Sequence, residues 1–536
     1  MRHVLRLLSV LAVLALGLAP AQETYVTFNA DGSITIRLLT DDETVTFAPG
    51  ELGNLVGPGL QPYAGKTITV TTNSGGVMGG ISGPIYQVRP AWEELTGAKL
   101  NIVEIPLGEA FPQVFADLQL GTGQFDGFIV GADWYGDLVE GDFVVPVDTY
   151  FDNPGFPTWD RSGFPPSLQT LYTWGGRWYG TLNDSDGQVL YYRRDILTDP
   201  AIQAEYQAAT GRALVVPPPT WDDVLSIARF LNGRDLNGDG EGDSGVVLHL
   251  KVNAQGLFHF ISLAVPFVVT RPNQPFWFDP DTMDPIINSP GHVRALEFLI
   301  ELSQYGPAAQ VGWDLGEGWD YFLRGRAAFV FSWGDVGSLV QIPERSDIKG
   351  KLGASILPGV REVYDTASGQ FVAVDPPNVV GNTTGGSWHG MISVLTPNPD
   401  VVYHLWATQA TRSFSLWNVR QGWTGVDPGM AWHFVPPYGN ASLEAYLSQG
   451  WNADDIVEYH RAYRDNYFAP LNLSFLRIPG AFEYRQSLDQ NLSKAESGQL
   501  TPQEALDLTF AQWQETTDRL GRDRQRAIYR ASLGLE

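Results

Sequence analysis

Carboxylate and tryptophan residues that could bind hydroxyl groups occur together at several points of this chain. The candidates are Asp133 with Trp134, Asp184 with Asp186, and Trp333 with Asp335. An ionised carboxylate accepts hydrogen bonds from hydroxyl groups, and an aromatic face packs against the C–H face of a sugar ring. Because this combination is typical of a carbohydrate-binding cleft, we predict that these side chains converge on one.

Further residues have types that would complete such a cleft. Trp388 and Trp423 would add aromatic faces, while Ser74, Gly131 and Gly386 are small enough for the backbone to approach a ligand. The chain has 17 tryptophans, and most must serve packing, since large aromatic side chains dominate protein cores. Each of these assignments therefore competes with a role in the core.

An acidic segment matches the first half of a calcium-binding loop. Its oxygen-bearing residues are Asp235, Asn237, Asp239, Glu241 and Asp243. Oxygen ligands at loop positions 1, 3 and 5 with glycine at 6 are typical of EF-hand loops, whereas the glutamate of position 12 is replaced by Val246. Asp243 or a distant carboxylate would have to supply that ligand. The segment predicts either a structural Ca²⁺ site or a solvated turn, in both cases away from the ligand.

The composition excludes several classes of function. Acidic residues number 60 against 34 basic ones, a formal net charge of −26, and such a surface repels the phosphates of nucleic acids. Without any cysteine the chain has neither disulfides nor a site for a lipid anchor. It carries no nucleophile elbow, HExxH segment or phosphate loop, but paired acids remote in sequence would suffice for glycoside hydrolysis.

The first residues have the layout of an export signal. Met1-Arg2-His3 precedes an apolar run over 4–18 and the small-x-small sequence Ala19-Pro20-Ala21. We predict that residues 1–21 are a cleaved signal peptide and that the mature protein is free in the periplasm. Later apolar runs are shorter than the ~20 residues of a membrane-spanning helix.

The pattern after an N-terminal extension is that of an α/β protein. Strands are predicted over 67–72, 100–105 and 126–130, and they alternate with helices over 84–95 and 111–120. This alternation favours a parallel sheet covered by helices, in which ligands bind beyond the carboxyl ends of the strands. Further helix starts at Thr220, Ser289 and Thr501 indicate a second α/β body and a helical C-terminus.

Three segments carry a resemblance to a known family. Residues 174–197 run from an aromatic residue and glycine through Asp184 and Asp186 into Leu190-Tyr191-Tyr192. Residues 325–335 are similar to a "G-x-A-A-M" strand that leads to a tryptophan, with Phe329 in place of methionine, and 380–395 contain a glycine-rich loop before a strand. In this order they resemble the extracellular sugar-binding proteins of ABC importers, the maltose-binding-protein-like class.

The resemblance implies the fold and its division. We expect a two-lobed periplasmic binding protein of type II, with a mostly parallel sheet flanked by helices in each lobe and crossover strands between the lobes. The expected parts are the signal peptide, an extension over 22–65, a first lobe formed by 66–183 and 386–430, and a second lobe formed by 184–385 and the helical segment 431–536.

The resemblance also implies a function. Such a protein binds a sugar or polyol between its lobes and delivers it to membrane permeases, acts as a monomer and requires no cofactor, with the structural Ca²⁺ as an optional addition. Asp184 and Trp388 should then lie on neighbouring connectors. The alternative is a secreted glycoside hydrolase that uses paired carboxylates, and turnover of oligosaccharides would distinguish it.

Overall fold

The computed structural model describes residues 24–40, 43–77, 79–384, 387–422 and 425–535. The predicted signal peptide, Gly386 and Trp423 lie outside these residues. The described chain begins with an antiparallel sheet of β1 (Val26–Phe28), β2 (Ile34–Arg37) and β3 (Thr44–Phe47).

This small sheet rests on the elements that follow it. The Tyr25 N–H donates to Glu94 at 2.7 Å, and the Trp417 indole donates to Glu43 at 2.7 Å. Ser413 donates its N–H to Glu51 at 2.8 Å. The extension therefore folds onto the first α/β body.

The first body is built on a five-stranded sheet. Its elements are β4 (Thr67–Asn73), α1 (Gly83–Thr96), β5 (Lys99–Ile105), α2 (Leu107–Leu120), β6 (Gly127–Gly131), α3 (Tyr135–Glu140), α4 (Pro166–Tyr172), β7 (Thr173–Trp174), β8 (Arg177–Trp178) and β9 (Thr181–Leu182). The strands and helices predicted here are confirmed to within a few residues. Helix α1 ends at Gly97, whose left-handed φ of 74° suits glycine.

The second body follows without a break. Its elements are β10 (Val189–Arg193), α5 (Arg194–Leu197), α6 (Pro200–Thr210), α7 (Trp221–Leu231), β11 (Ser244–Val246), α8 (Leu257–Val268), α9 (Pro290–Ser303), α10 (Leu315–Leu323), β12 (Ala327–Ser332), α11 (Asp335–Leu339), β13 (Leu352–Ile356), β14 (Val360–Asp365), β15 (Gln370–Asn378) and β16 (Gly381–Asn382). The predicted start of α7 is confirmed, since Thr220 accepts a hydrogen bond from the Asp223 N–H.

The remaining chain returns to both bodies. It contains β17 (Trp388–Ile392), α12 (Pro399–Ala410), α13 (Arg412–Val419), α14 (Leu443–Leu447), α15 (Ala453–Tyr467), β18 (Asn472–Leu473), α16 (Ala481–Glu496), α17 (Pro502–Leu520) and α18 (Arg522–Ser532). Strand β17 joins the first sheet, and α15 packs on β13. Helices α16 and α17 pack on each other and on α9, and α17 begins with the predicted capping box at Thr501. None of the described helices is both long and apolar enough to cross a membrane.

The strand directions differ in detail from the expected mostly parallel sheets. In the first sheet, of order β5-β4-β6-β17-β9, strand β4 is parallel to both neighbours and β17 is antiparallel to both. In the second, of order β11-β12-β10-β13, only β11 and β12 are parallel. The reason is that β10 and β17 enter from the opposite body, so no helical crossover constrains them to run parallel.

Candidate functional site

The site lies where the ends of the two sheets face each other. In the first sheet Asn73 ends β4, and Trp388 at the start of β17 pairs in register with Gly131 at the end of β6. In the second sheet Val189 at the start of β10 pairs with Ser332 at the end of β12. The segment 183–188, which we call the first connector, therefore joins the two sheets. Residues 383, 384 and 387, which we call the second connector, lie between β16 and β17 and lead into the first sheet.

The two connectors lie against each other. The Asp184 N–H donates to the carbonyl of Trp388 at 3.1 Å. Asp186 and Ser387 exchange two hydrogen bonds of 3.1 Å, because each backbone N–H donates to the other side chain. Asp184 and Trp388, which the sequence separates by about two hundred residues, are thus neighbours at the junction.

A main cavity of about 210 Å³ opens between the bodies. It is lined by Asn73, Ser74, Gly80, Ile81, Leu107, Asp186, Gln255, Leu315, Trp319, Trp333, Asp335, Trp388 and Gly425. Five of the predicted site residues are among them, contributed by both sheets and by the first connector. The combination of indole faces with carboxylates is the one that the sequence predicted for a cleft.

A second cavity of about 140 Å³ adjoins the main one and shares Leu107, Gln255 and Trp388 with it. The predicted residues Gly131, Asp133 and Trp134 line this second cavity. Asp133 is ion-paired with Arg485 of α16 at 3.1 Å, and burial raises the pKa of Asp133 while Arg485 opposes the rise. Within the described ranges, every predicted cleft residue except Asp184 therefore lines one of two adjoining cavities.

Several polar atoms at the main cavity have no protein partner among the described residues. They include both amide atoms of Asn73, the indole nitrogen of Trp333 and Oδ1 of Asp186. Each belongs to a side chain that lines the cavity and is at most 7% exposed. Because a buried polar atom without a partner is costly, this wall is suited to a ligand that both donates and accepts hydrogen bonds.

Behind the cavity, Asp184, Asp186 and Asp427 form a buried acidic cluster. One carboxylate oxygen from each lies within 4.8 Å of the others. The Asp427 N–H donates to Oδ1 of Asp184 at 2.7 Å, and the Asp427 carboxylate accepts from Tyr459 and Tyr463 at 3.1 and 3.0 Å. Asp335 borders this cluster and accepts from the Gly425 N–H at 2.6 Å.

Burial dominates the electrostatics of these carboxyl groups. It raises the pKa of Asp184, Asp186 and Asp427 well above the usual range, and their mutual repulsion raises it further. The pKa of Asp335 is raised to about 6, again by burial. No Lys or Arg forms an ion pair with these four side chains within the described ranges. The charge of Arg345 lowers the pKa of Asp335, but burial outweighs it.

The segment predicted to bind calcium lies elsewhere, on the surface after α7. Asp235 accepts from the N–H groups of Gly238 and Gly240 at 2.6 and 2.9 Å, and Asp239 is ion-paired with Arg326 at 3.0 Å. Asp243 accepts from the Leu236 N–H at 2.7 Å. These bonds stabilise the turn without an ion, and binding of Ca²⁺ by this segment stays a prediction.

Some site residues differ from expectation or were missed. Asp184 lies behind the main cavity instead of on its wall, while Gly386 and Trp423 are outside the described residues. Sequence reasoning missed Asn73, Trp319 and Asp427. The signal for Asp427 was its place in the Gly-rich segment 422–428, four residues after Trp423, which was predicted to line the cleft.

Comparison with known proteins decides the family. The profile of the bacterial extracellular solute-binding proteins matches residues 81–405. The chain belongs to this family. Its members bind solutes and are not enzymes, so the glycoside hydrolase alternative is not retained.

Relatives and solved structures agree with this membership. A probable ABC transporter-binding protein of Deinococcus radiodurans is 23% identical over 330 residues, which are 60% of this chain and 67% of the relative. An ABC transporter solute-binding protein of Agrobacterium radiobacter K84 in complex with ribitol is 17% identical, with a TM-score of 0.64 over 85% of this chain and all of that one.

Two further structures are similar to the same extent. A solute-binding protein of Agrobacterium vitis S4 with bound D-mannitol has a TM-score of 0.62, 18% identity and coverage of 85% of this chain and 99% of that one. The maltose-bound MalE3 of T. maritima has a TM-score of 0.62, 17% identity and coverage of 84% and 99%. The predicted two-lobed binding-protein fold of this solute-binding protein is thereby confirmed.

Proposed function

We propose that this solute-binding protein binds a neutral polyhydroxylated solute, a sugar or polyol, in the main cavity. The observation that carries the proposal is the set of unpartnered donors and acceptors on Asn73, Trp333 and Asp186 beside the half-buried indole of Trp388. Hydroxyl groups are both donors and acceptors and can satisfy all of these atoms, while C–H faces pack on the indole. The ribitol, mannitol and maltose bound by the three similar structures support this class of ligand.

The division into lobes extends the proposal to transport. Residues 66–183 and 386–430 would form one lobe and 184–385 and 431–536 the other, with the ligand between them. A ligand that contacts both lobes stabilises the closed form through contacts that the open form lacks. The closed protein would then deliver the solute to the permease subunits of an ABC importer from the periplasm, as a monomer.

Calorimetry with a panel of polyols and oligosaccharides tests the proposal. For the ligand that binds, Asp186→Asn and Trp388→Ala should each weaken binding by about 1–3 kcal/mol, because each leaves ligand or protein groups without a partner. Asp239→Asn on the surface turn and Trp178→Ala, a half-buried indole that packs on Trp159, are matched controls and should leave affinity unchanged.

Two results would contradict the proposal. One is the absence of heat and of thermal stabilisation with every member of the panel; the other is a ligand whose affinity responds to the control variants as strongly as to the cleft variants. Ligand-induced stabilisation is expected to follow the free concentration of the bound solute.

A further inference from the structure

The acidic cluster behind the main cavity has an unusual balance of charge. Asp184, Asp186 and Asp427 are at most 5% exposed, and no Lys or Arg of the described chain is ion-paired with them. Buried carboxylates in native proteins are paired, protonated or bound to a metal ion. The question is which of these states neutralises the cluster.

Free oxygen atoms remain after the protein's own hydrogen bonds are counted. Oδ2 of Asp184 and Oδ1 of Asp186 have no partner within the part of the chain that is described. Asp427, by contrast, accepts from the Gly334 N–H at 3.0 Å and from two tyrosines. These donors reach both of its oxygens and fix its orientation.

A second and independent observation points to the same place. The hydroxyl of Tyr191 is fully buried and has no partner among the described residues. Its ring lies 6.5 Å from the ring of Tyr459, whose own hydroxyl donates to Asp427 at 3.1 Å. A tyrosine on β10 thus brings a fourth, neutral oxygen toward the three carboxylates.

We propose that Asp184, Asp186 and Asp427 form a binding site for a hard divalent cation, with Ca²⁺ the best match, at the junction of the two bodies. All the available ligand atoms are oxygens, which suits Ca²⁺ or Mg²⁺ and not the softer transition metals. Two oxygens bound to one Ca²⁺ at 2.3–2.6 Å are at most about 5 Å apart. The 4.8 Å limit on the cluster's ligand atoms meets this condition.

The position gives the cation a structural role. Asp184 and Asp186 belong to the first connector, and Asp186 accepts a hydrogen bond from the Ser387 N–H of the second. Asp427 follows α13 in the chain and donates its N–H to Asp184. An ion held by all three carboxylates would join segments that must move relative to each other if the lobes close. Because Oδ1 of Asp186 also borders the main cavity, this inference is tested without any solute present.

Equilibrium dialysis of the chelator-treated protein against Ca²⁺ and, separately, Mg²⁺ tests the site. The wild-type protein should retain Ca²⁺, and Asp184→Asn should weaken this binding roughly tenfold or more, because it removes one charged ligand. Asp239→Asn is the matched control on the surface turn, where the sequence also predicts Ca²⁺. It leaves the ion of the cluster in place and reports separately on any ion bound at the turn.

Tyr191→Phe is a second variant, which tests the site in case Asp184→Asn fails to fold. It removes one hydroxyl only, should weaken Ca²⁺ binding by a smaller factor than Asp184→Asn, and should keep the wild-type circular dichroism spectrum. If the wild-type protein retains no divalent cation, or if Asp184→Asn retains as many ions with the same affinity, the proposal is overturned and the cluster is neutralised by protons. Loss of Ca²⁺ in Asp239→Asn alone would also overturn it.

Discussion

Two acidic regions of this protein have similar residues and opposite environments. On the surface turn, Asp235 and Asp239 are exposed and their oxygens accept from backbone N–H groups two to five residues away. At the junction, Asp184 and Asp427 are buried, and the bond between them spans 243 residues of sequence. Hydrogen bonds from nearby residues satisfy the carboxylates of Asp235 and Asp239. The carboxylates of Asp184 and Asp427 are satisfied only in part, and only by residues that the fold brings together.

The difference shows which acidic residues can act on a ligand. A carboxylate whose oxygens already accept short-range N–H bonds stabilises a turn without a ligand. A buried carboxylate with an unpartnered oxygen is destabilising until something binds it. Unsatisfied burial is therefore a better indicator of a binding site in this molecule than the density of acidic residues.

The largest expected effect comes from Asp427→Ala. This change leaves the Gly334 N–H and the hydroxyls of Tyr459 and Tyr463 without their acceptor, so the free energy of unfolding should fall by about 3–4 kcal/mol. Urea denaturation in chelator-containing buffer measures it. Asp427→Asn keeps an acceptor oxygen and should lose much less; equal losses in the two variants would mean that these hydrogen bonds do not stabilise the cluster.

A pH-dependent effect is expected at Asp335. Its folded-state pKa of about 6 lies above the ordinary 3.8, so its contribution to stability is complete below pH 3.8 and is lost as the pH rises through about 6. Between pH 4 and 8, Asp335→Asn should therefore gain about 2–3 kcal/mol relative to the wild-type protein. Denaturation series at the two pH values, without metal or ligand, give this difference.

Asp239 on the surface turn should show the opposite dependence of stability on pH. Hydrogen bonds to the Glu241 N–H and to Asn237 lower its pKa, so its contribution is present above pH 3.8 and is lost as the pH falls. Asp239→Asn should accordingly show no gain between pH 4 and 8. A gain like that of Asp335→Asn would remove the distinction between the two regions.

The smallest effect is expected for Asp235→Ala on the surface turn. It removes two short-range bonds from an exposed segment, so the free energy of unfolding should change by less than about 1 kcal/mol. Affinity for the solute should be unchanged. A change as large as that of Asp427→Ala would indicate that the turn is coupled to the core.

The elements of the fold were predictable because their signals are local. Strands over 67–72 and 100–105 and the helix over 84–95 follow from alternation, periodicity and the glycine at 97, and each is observed. The direction of β10 was not predictable from such signals, because it depends on the entry of the strand from the other body. The same holds for the pairing of Trp388 with Gly131.

The candidate site was predictable where a motif or a strand end marked it. Trp333, Asp335 and Asp186 came from segments that resemble the family, and they line the main cavity. Asn73 and Trp319 were missed, since an amide at a strand end and an indole on α10 have no distinctive sequence context. The partnership of Asp427 with Asp184 required the three-dimensional structure, because no local pattern relates residues so far apart.

The N-terminal sheet has a practical consequence. Its hydrogen bonds to Glu94, Ser413 and Trp417 attach it to the first body, whereas α9 belongs to the second. A dye coupled at the Asp31-Gly32 turn would thus be attached to the first body, and a dye on the exposed face of α9 would be attached to the second. If the lobes close on the solute as proposed, energy transfer between the two dyes would report solute binding with no change to any residue of the cleft.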